Sequence, residues 1–270
     1  MERKNVYICM LAALLSCSDS VKVSRTLDAM PAIFPDYNGV VIPPNMAPLN
    51  FALDDQDAGS RAVFSFGGQQ FEVKGENGSI VIPPSKWKKL LESAAGDSIQ
   101  VTVQVKQGNE WVAYSPFAIR VAPEKVDSYL AYRLIDPGYE LWNKMGIYQR
   151  DLESYTQIPI IENKMSGNNC VNCHSFCMQD PNKMLFHMRE TFPGTILVDG
   201  DKIEKLNTKT KETISSLVYP SWHPSGKYVA FSVNTTKQAF HLNDRNRVEV
   251  YDEASDVVVY DVEKHEIVTA

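Results

Sequence analysis

The sequence predicts an all-β protein laid out as two successive units, and three observations carry this. Apolar and polar residues alternate over short stretches, most cleanly where Ile99, Val101, Val103 and Val105 interleave with Gln100, Thr102, Gln104 and Lys106. Twelve Tyr and eleven Phe, with frequent Val, Ile and Thr, supply the side chains that suit a pleated, half-buried surface. Turn pairs such as Gly67-Gly68, Asn77-Gly78, Gly108-Asn109 and Asp199-Gly200 punctuate these stretches. With 270 residues, 44% hydrophobic and 22% charged, the chain can bury a sizeable core in one large or two ordinary domains. A net charge of −6 with no basic run excludes nucleic acid as an expected partner.

The first seventeen residues read as an address. Arg3 and Lys4 precede the apolar run Val6–Leu15, whose length suits the core of a signal peptide and falls short of a bilayer span. The run ends in Leu14-Leu15-Ser16-Cys17, which resembles a bacterial lipobox, and Ser18-Asp19-Ser20 resembles the polar tract that follows a lipidated cysteine. That resemblance implies a signal peptide over 1–17, acylation at Cys17 and a membrane anchor made of lipid alone. An ordinary cleaved signal and a buried N-terminal strand are the competing readings.

Residues 18–48 carry Pro43, Pro44 and Pro48 and read as an extended, Pro-rich linker. From 49 to 122 the pattern is that of short antiparallel strands. Phe64 and Phe66 are separated from Phe71 and Val73 by Gly67-Gly68, and Ile80 to Ile82 follow Asn77-Gly78. Pro84 to Gly96 reads as the single helix, with Pro84 or Ser85 serving its start and Gly96 its end. Gly108-Asn109 then turns the alternating strand into partners carrying Trp111, Phe117, Ile119 and Val121. Strands of this length and spacing predict an immunoglobulin-like β-sandwich without the cysteine pair, with Trp87 and Trp111 as packing residues.

From 123 to 270 the texture changes. Strands are expected at Tyr129–Ile135, Trp142–Arg150 and Ile158–Ile161, then a meander over Met184–Arg189, Thr195–Val198 and Lys202–Leu206. The segment Tyr219-Pro220-Ser221-Trp222-His223-Pro224-Ser225-Gly226-Lys227-Tyr228-Val229-Ala230-Phe231-Ser232 resembles the repeat of TolB-like β-propellers, with His223 and Ser225 departing from it. The resemblance implies that Trp222 packs between blades, that 224–226 turn tightly, and that Val229 and Phe231 enter a blade core. Asp256–Val262 and Glu266–Thr269 follow as outer strands, and polar Thr235–Glu253 reads as a long inserted loop. The 146 residues after Glu124 hold about three blades of 40–45 residues, so a partial, truncated propeller is expected, the N-terminal part of a longer one. An open β-meander is the alternative.

The chemistry concentrates in Cys170-Val171-Asn172-Cys173-His174, read as an insertion over 165–182. C-x-x-C-H is the attachment signature of a c-type haem: two thiols reach two vinyl groups, and the adjacent imidazole reaches the iron. Cys170, Cys173 and His174 are the expected haem-binding residues. The sixth ligand is sought among Met178, Met184, Met188, His187 and Met165. Three other readings stay open: a disulfide among Cys170, Cys173 and Cys177, a zinc site using those thiols and a histidine, and a redox-active C-x-x-C. Cys177 departs from a minimal haem motif and could pair with either neighbour.

The whole arrangement resembles Bacteroidetes-type periplasmic or outer-membrane lipoproteins that carry a haem motif beside TolB-like repeats. The resemblance implies an exported, lipid-anchored monohaem protein in the cell envelope, facing periplasm or cell surface. It would transfer electrons or sense redox state with a partner protein of the envelope. The alternative is a non-catalytic propeller that binds a protein or glycan and uses its cysteines structurally. No Ser-His-Asp or Cys-His-Asn set can be assembled from the motifs, so catalysis is not the expectation.

Overall fold

A computed structural model describes residues 22–54, 59–135, 144–211, 213–245 and 248–269. Residues 1–17, read as a signal segment ending at Cys17, the stretch Asp136-Pro137-Gly138 read as a turn, and Trp142 lie outside the described residues. The chain divides into two units, Met1–Val126 and Asp127–Ala270. Both are nearly all β.

In the first unit, strands β1 (Val23–Thr26), β2 (Ile33–Phe34), β3 (Val41–Ile42) and β4 (Phe51–Leu53) precede the hairpin of β5 (Ser60–Phe66) and β6 (Gln69–Lys74). Then come β7 (Ser79–Ile80), helix α1 (Pro84–Ser93), β8 (Ser98–Gln107), β9 (Glu110–Ala113) and β10 (Phe117–Val121). A seven-stranded sheet is centred on β8, which pairs with β5 along one edge and with β9 and β10 along the other; β2, β4 and β7 form a second, three-stranded sheet. Gly67 and Gly68 both take positive φ, as a two-residue hairpin turn that follows strand twist requires.

The alternation read from 99 to 105 is a burial pattern. Ile99, Val101 and Val103 are fully buried, and they share one core with Phe64, Ile80, Ile82 and the α1 side chains Trp87, Leu90 and Leu91. Each such side chain contributes about 1.5–3 kcal/mol by leaving water. The Trp87 indole N–H donates to the Met46 carbonyl at 3.0 Å, which satisfies the one polar atom of a buried ring.

The stretch read as a linker belongs to the fold. β1 pairs in parallel with β9, β3 pairs with β10, and Ile33, Ile42 and Ala47 are buried. Proline spacing concealed this, because strands of two to four residues at sheet edges tolerate the prolines between them.

The second unit holds three antiparallel sheets in chain order. The first contains β11 (Tyr129–Ile135), β12 (Met145–Asp151) and β13 (Gln157–Glu162). The second contains β14 (Cys170–Phe176), β15 (Lys183–Arg189), β16 (Gly194–Asp199) and β17 (Lys202–Leu206). The third contains β18 (Val218–Trp222), β19 (Tyr228–Phe240), β20 (Val248–Asp261) and β21 (Glu266–Thr269). Within each sheet every strand pairs with the next in sequence. β14 packs against β12 of the sheet before it and β18 of the sheet after it.

Residues of β15 alternate between two cores. Met184, Phe186 and Met188 pack with Ile147 of β12, Val171 and Ile196. Leu185 packs the other way, with Leu217, Val229 and Phe231. The second sheet is therefore buried on both faces, which is why its middle strand reads as a nearly continuous apolar run.

Two further expectations give way. The C-x-x-C-H stretch is the first strand of the second sheet and not an insertion beside it. Thr235–Glu253 is not a loop: β19 and β20 run on as a long ribbon, paired from Tyr228↔Asp261 to Phe240↔Val248 with one bulge at Thr235/Thr236. Beyond residue 234 most ribbon positions are exposed, so no apolar alternation was needed, and cross-strand pairs such as Lys237↔Tyr251 and Thr236↔Asp252 hold it.

Candidate functional site: the cysteine strand

The approach to β14 is built from a left-handed turn. Gly167 and Asn168 take φ of 69° and 62°, and Asn169 follows with no solvent exposure. The Asn169 amide donates to the Ser166 carbonyl and its oxygen accepts from the Phe192 N–H at 2.9 Å, so the buried amide is satisfied and anchors the strand's first residue.

Cys170 pairs with Arg189, Val171 with Met188 and Asn172 with His187, after which the register slips and resumes at Ser175↔Leu185. Cys173 and His174 thus stand opposite one residue of β15, a β-bulge. Cys173 adopts φ of 51°, a left-handed conformation that a residue with a Cβ rarely takes. The Asn172 side-chain oxygen caps the Cys173 N–H at 2.8 Å and also accepts from Arg133 of β11 at 2.6 Å. Backbone strain of this kind, over-determined by side-chain hydrogen bonds, is characteristic of functional positions. Strict alternation would send residues 170 and 173 to opposite faces, and the bulge interrupts it between them.

All three thiols are free. Burial raises the Cys170 thiol above its ordinary value; Arg189 works against this, and the nearby Cys173 adds to it. Cys170 is therefore a protonated, shielded thiol at neutral pH. His174 is half-buried, with its ring edge-on to Phe176 at 6.3 Å between centroids. Burial lowers the His174 pKa, a hydrogen bond to the Ala131 backbone opposes that, and Arg133 lowers it further. The imidazole is neutral at pH 7 and has one nitrogen oriented by a carbonyl, the form in which histidine ligates a metal.

Cys177 lies in a short 3-10 turn, Cys177–Gln179, and is buried against the next sheet. Its sulfur sits 3.2 Å from where a Cβ on Gly226 would fall. Cys177 thus serves the joint between sheets.

The candidates for a sixth ligand separate by environment. Met184 and Met188 are buried at 3% and 8% exposure inside the core described above. His187 is buried, and its Nδ1 lies 3.2 Å from the Thr195 hydroxyl. Met178 is exposed in a left-handed conformation beside Cys177, and Met165 is exposed with its sulfur 3.5 Å from the Glu162 N–H. Near the motif a cleft of about 490 Å³ is bordered by Leu130, Ala131, Phe176, Gln179 and Pro181.

Among the described residues no group of three or more His, Cys, Asp and Glu side chains gathers as a metal site, so Cys170, Cys173, Cys177 and a histidine are not assembled for zinc. The donor chemistry of two free thiols and a neutral, oriented histidine fits a covalently held haem. Sequence reading missed the Ala131 carbonyl and the Arg133–Asn172 contact, since both depend on pairing across about forty residues. No helix among the described residues is long and apolar enough to cross a membrane. The chain matches no protein-family model, no curated protein and no solved structure.

Proposed function

We propose that the chain is an exported, lipid-anchored envelope protein that carries one haem c and serves electron transfer or redox sensing. Cys170 and Cys173 would hold the group by thioethers, and His174 would ligate its iron. The observation that carries this reading is that the C-x-x-C-H strand holds two unpaired thiols and a half-buried imidazole, with Cys173 and His174 together at a β-bulge. When bound, the group supplies reversible one-electron exchange at iron.

The chain's own residues do the rest. The Ala131 carbonyl orients the imidazole, Arg133 and Asn172 hold the bulge that presents Cys173 and His174, and Phe176 lies edge-on to the imidazole. Met178 is the exposed sulfur nearest the motif in sequence and would be the candidate for a further ligand to test first, whereas Met184 and Met188 are core residues. The scaffold we propose is an immunoglobulin-like sandwich followed by blades of a TolB-like propeller. Two successive four-stranded meanders, packed face to face, support the second assignment. Cys17 would bear the lipid.

The test is expression of the chain, signal segment included, alongside a cytochrome c maturation system, followed by mass spectrometry. The expected result is the mass of residues 17–270 plus haem and acyl groups, and a Soret band that survives denaturation. Cys170→Ser with Cys173→Ser should abolish the Soret band only. Met178→Ala should shift the reduction potential with stability nearly unchanged, while Met184→Ala should cost about 2–5 kcal/mol of stability. A wild-type protein matured without covalent haem would overturn the proposal.

A further inference from the structure

A second cleft, of about 610 Å³, opens where the β19–β20 ribbon leaves its sheet, in the size range of small-molecule sites. One wall is the ribbon. Asn234, Thr236 and Gln238 stand two residues apart on β19, and Asp252 and Val250 face Thr236 and Gln238 across the ladder. Period two puts these polar side chains on one face, so the ribbon directs a row of amide, hydroxyl and carboxylate groups into the cleft. The opposite wall comes from the end of β15, the segments before β16 and β18, and the start of β18 itself, with Arg189, Glu190, Lys209 and Tyr219.

Three features mark the cleft as a binding site. Glu190 and Tyr219 are both non-glycine residues at positive φ, 80° and 51°, so strain gathers on its rim. Asn234 is fixed before any ligand arrives: its side-chain oxygen accepts from the Ser232 hydroxyl at 2.7 Å, and its amide donates to Ser255 at 3.0 Å and Asp252 at 3.3 Å. Finally, Arg189 and Lys209 form no ion pair among the described residues, although Glu190 and Asp252 border the same space.

The charges select the ligand class. Two cations and two carboxylates line one cleft, so an anion would meet Glu190 and Asp252 and a cation would meet Arg189 and Lys209. A neutral ligand dense in hydroxyls satisfies both signs, since each hydroxyl donates to a carboxylate and accepts from a guanidinium. Tyr219, 62% exposed, offers a flat apolar face at the rim on which a sugar ring can lie. We propose that this cleft binds a neutral saccharide, independently of any group held at Cys170 and Cys173.

The experiment is to screen the purified full chain against an array of neutral and charged oligosaccharides, and to titrate the neutral oligosaccharides it retains by calorimetry. The expected result is retention of neutral oligosaccharides over charged ones. Tyr219→Ala and Gln238→Ala, both at exposed positions, should each weaken binding at least tenfold, while Tyr219→Phe keeps it within about twofold. Circular dichroism of each variant separates loss of the cleft from loss of the fold. Retention of no neutral oligosaccharide, a preference for charged ones, or binding that folded Tyr219→Ala and Gln238→Ala leave unchanged would overturn the proposal.

Discussion

The indole Nε1 of Trp222 donates a hydrogen bond to the backbone carbonyl of Ser175 at 3.1 Å, joining the first strand of one sheet to the first strand of the next. Ser175 is the residue at which β14 regains its register after the Cys173–His174 bulge, so the bond anchors the motif from its far side. The Lys183 ammonium lies 5.7 Å from the centre of the same indole. Trp222→Phe keeps an aromatic six-membered ring but removes the donor together with part of the indole, leaving a carbonyl without its partner in a half-buried joint. The expected cost is about 1–3 kcal/mol, read by chemical denaturation. Amide exchange at residues 173–176 should quicken with it.

Gly226 and Cys177 form the second fastener of the same joint. Gly226 has φ of 67° and closes the turn after His223, to whose carbonyl its N–H donates at 2.9 Å. Gly226→Ala places a Cβ 3.2 Å from the Cys177 sulfur in a backbone conformation that disfavours any Cβ. A destabilisation of about 1–2 kcal/mol is expected from the backbone alone. Removing the sulfur with Cys177→Ala makes room, so the double variant should be less unstable than the two single effects summed. Strict additivity in denaturation would show that Cys177 does not contact this turn.

The parts of this fold that were legible in sequence are those where local chemistry and burial agree. β15 to β17 could be bounded because Asp199-Gly200 turns the chain and β15 and β16 are short apolar runs buried along most of their length. Helix α1 was marked by proline at its start and by Trp87, Leu90 and Leu91 on one face. The ribbon over 235–253 was opaque for the opposite reason: both faces meet water, so its residues carry no apolar period. The bulge at Cys173 could not be foreseen, because it arises from the mismatch between β14 and β15 and no turn residue announces it. Of the site itself, the residue types were evident, while the partners that orient them, Ala131 and Arg133, come from another sheet.

His187 gives the pH dependence. Burial, with Arg189 adding to it, pushes its pKa down to about 4. Its Nδ1 meets the Thr195 hydroxyl, which also bonds the Leu217 carbonyl at 3.3 Å and lies 3.4 Å from the Thr208 hydroxyl. The imidazole is therefore held neutral, while in the unfolded chain it titrates near its ordinary value of about 6.5. Between these values the unfolded state binds the extra proton, so stability is complete above pH 6.5 and falls as the pH drops toward 4, where the loss levels off. The slope is about 1.4 kcal/mol per pH unit at its steepest, and the total is of order 3 kcal/mol. Carboxylates titrate at the acid end of this window, so the measurement is a difference. His187→Gln can still bond Thr195 but cannot take the proton. Urea denaturation of both proteins from pH 4.5 to 7 should show stability curves that converge as the pH falls. Parallel curves would mean that His187 is protonated in the folded protein as readily as in the unfolded chain.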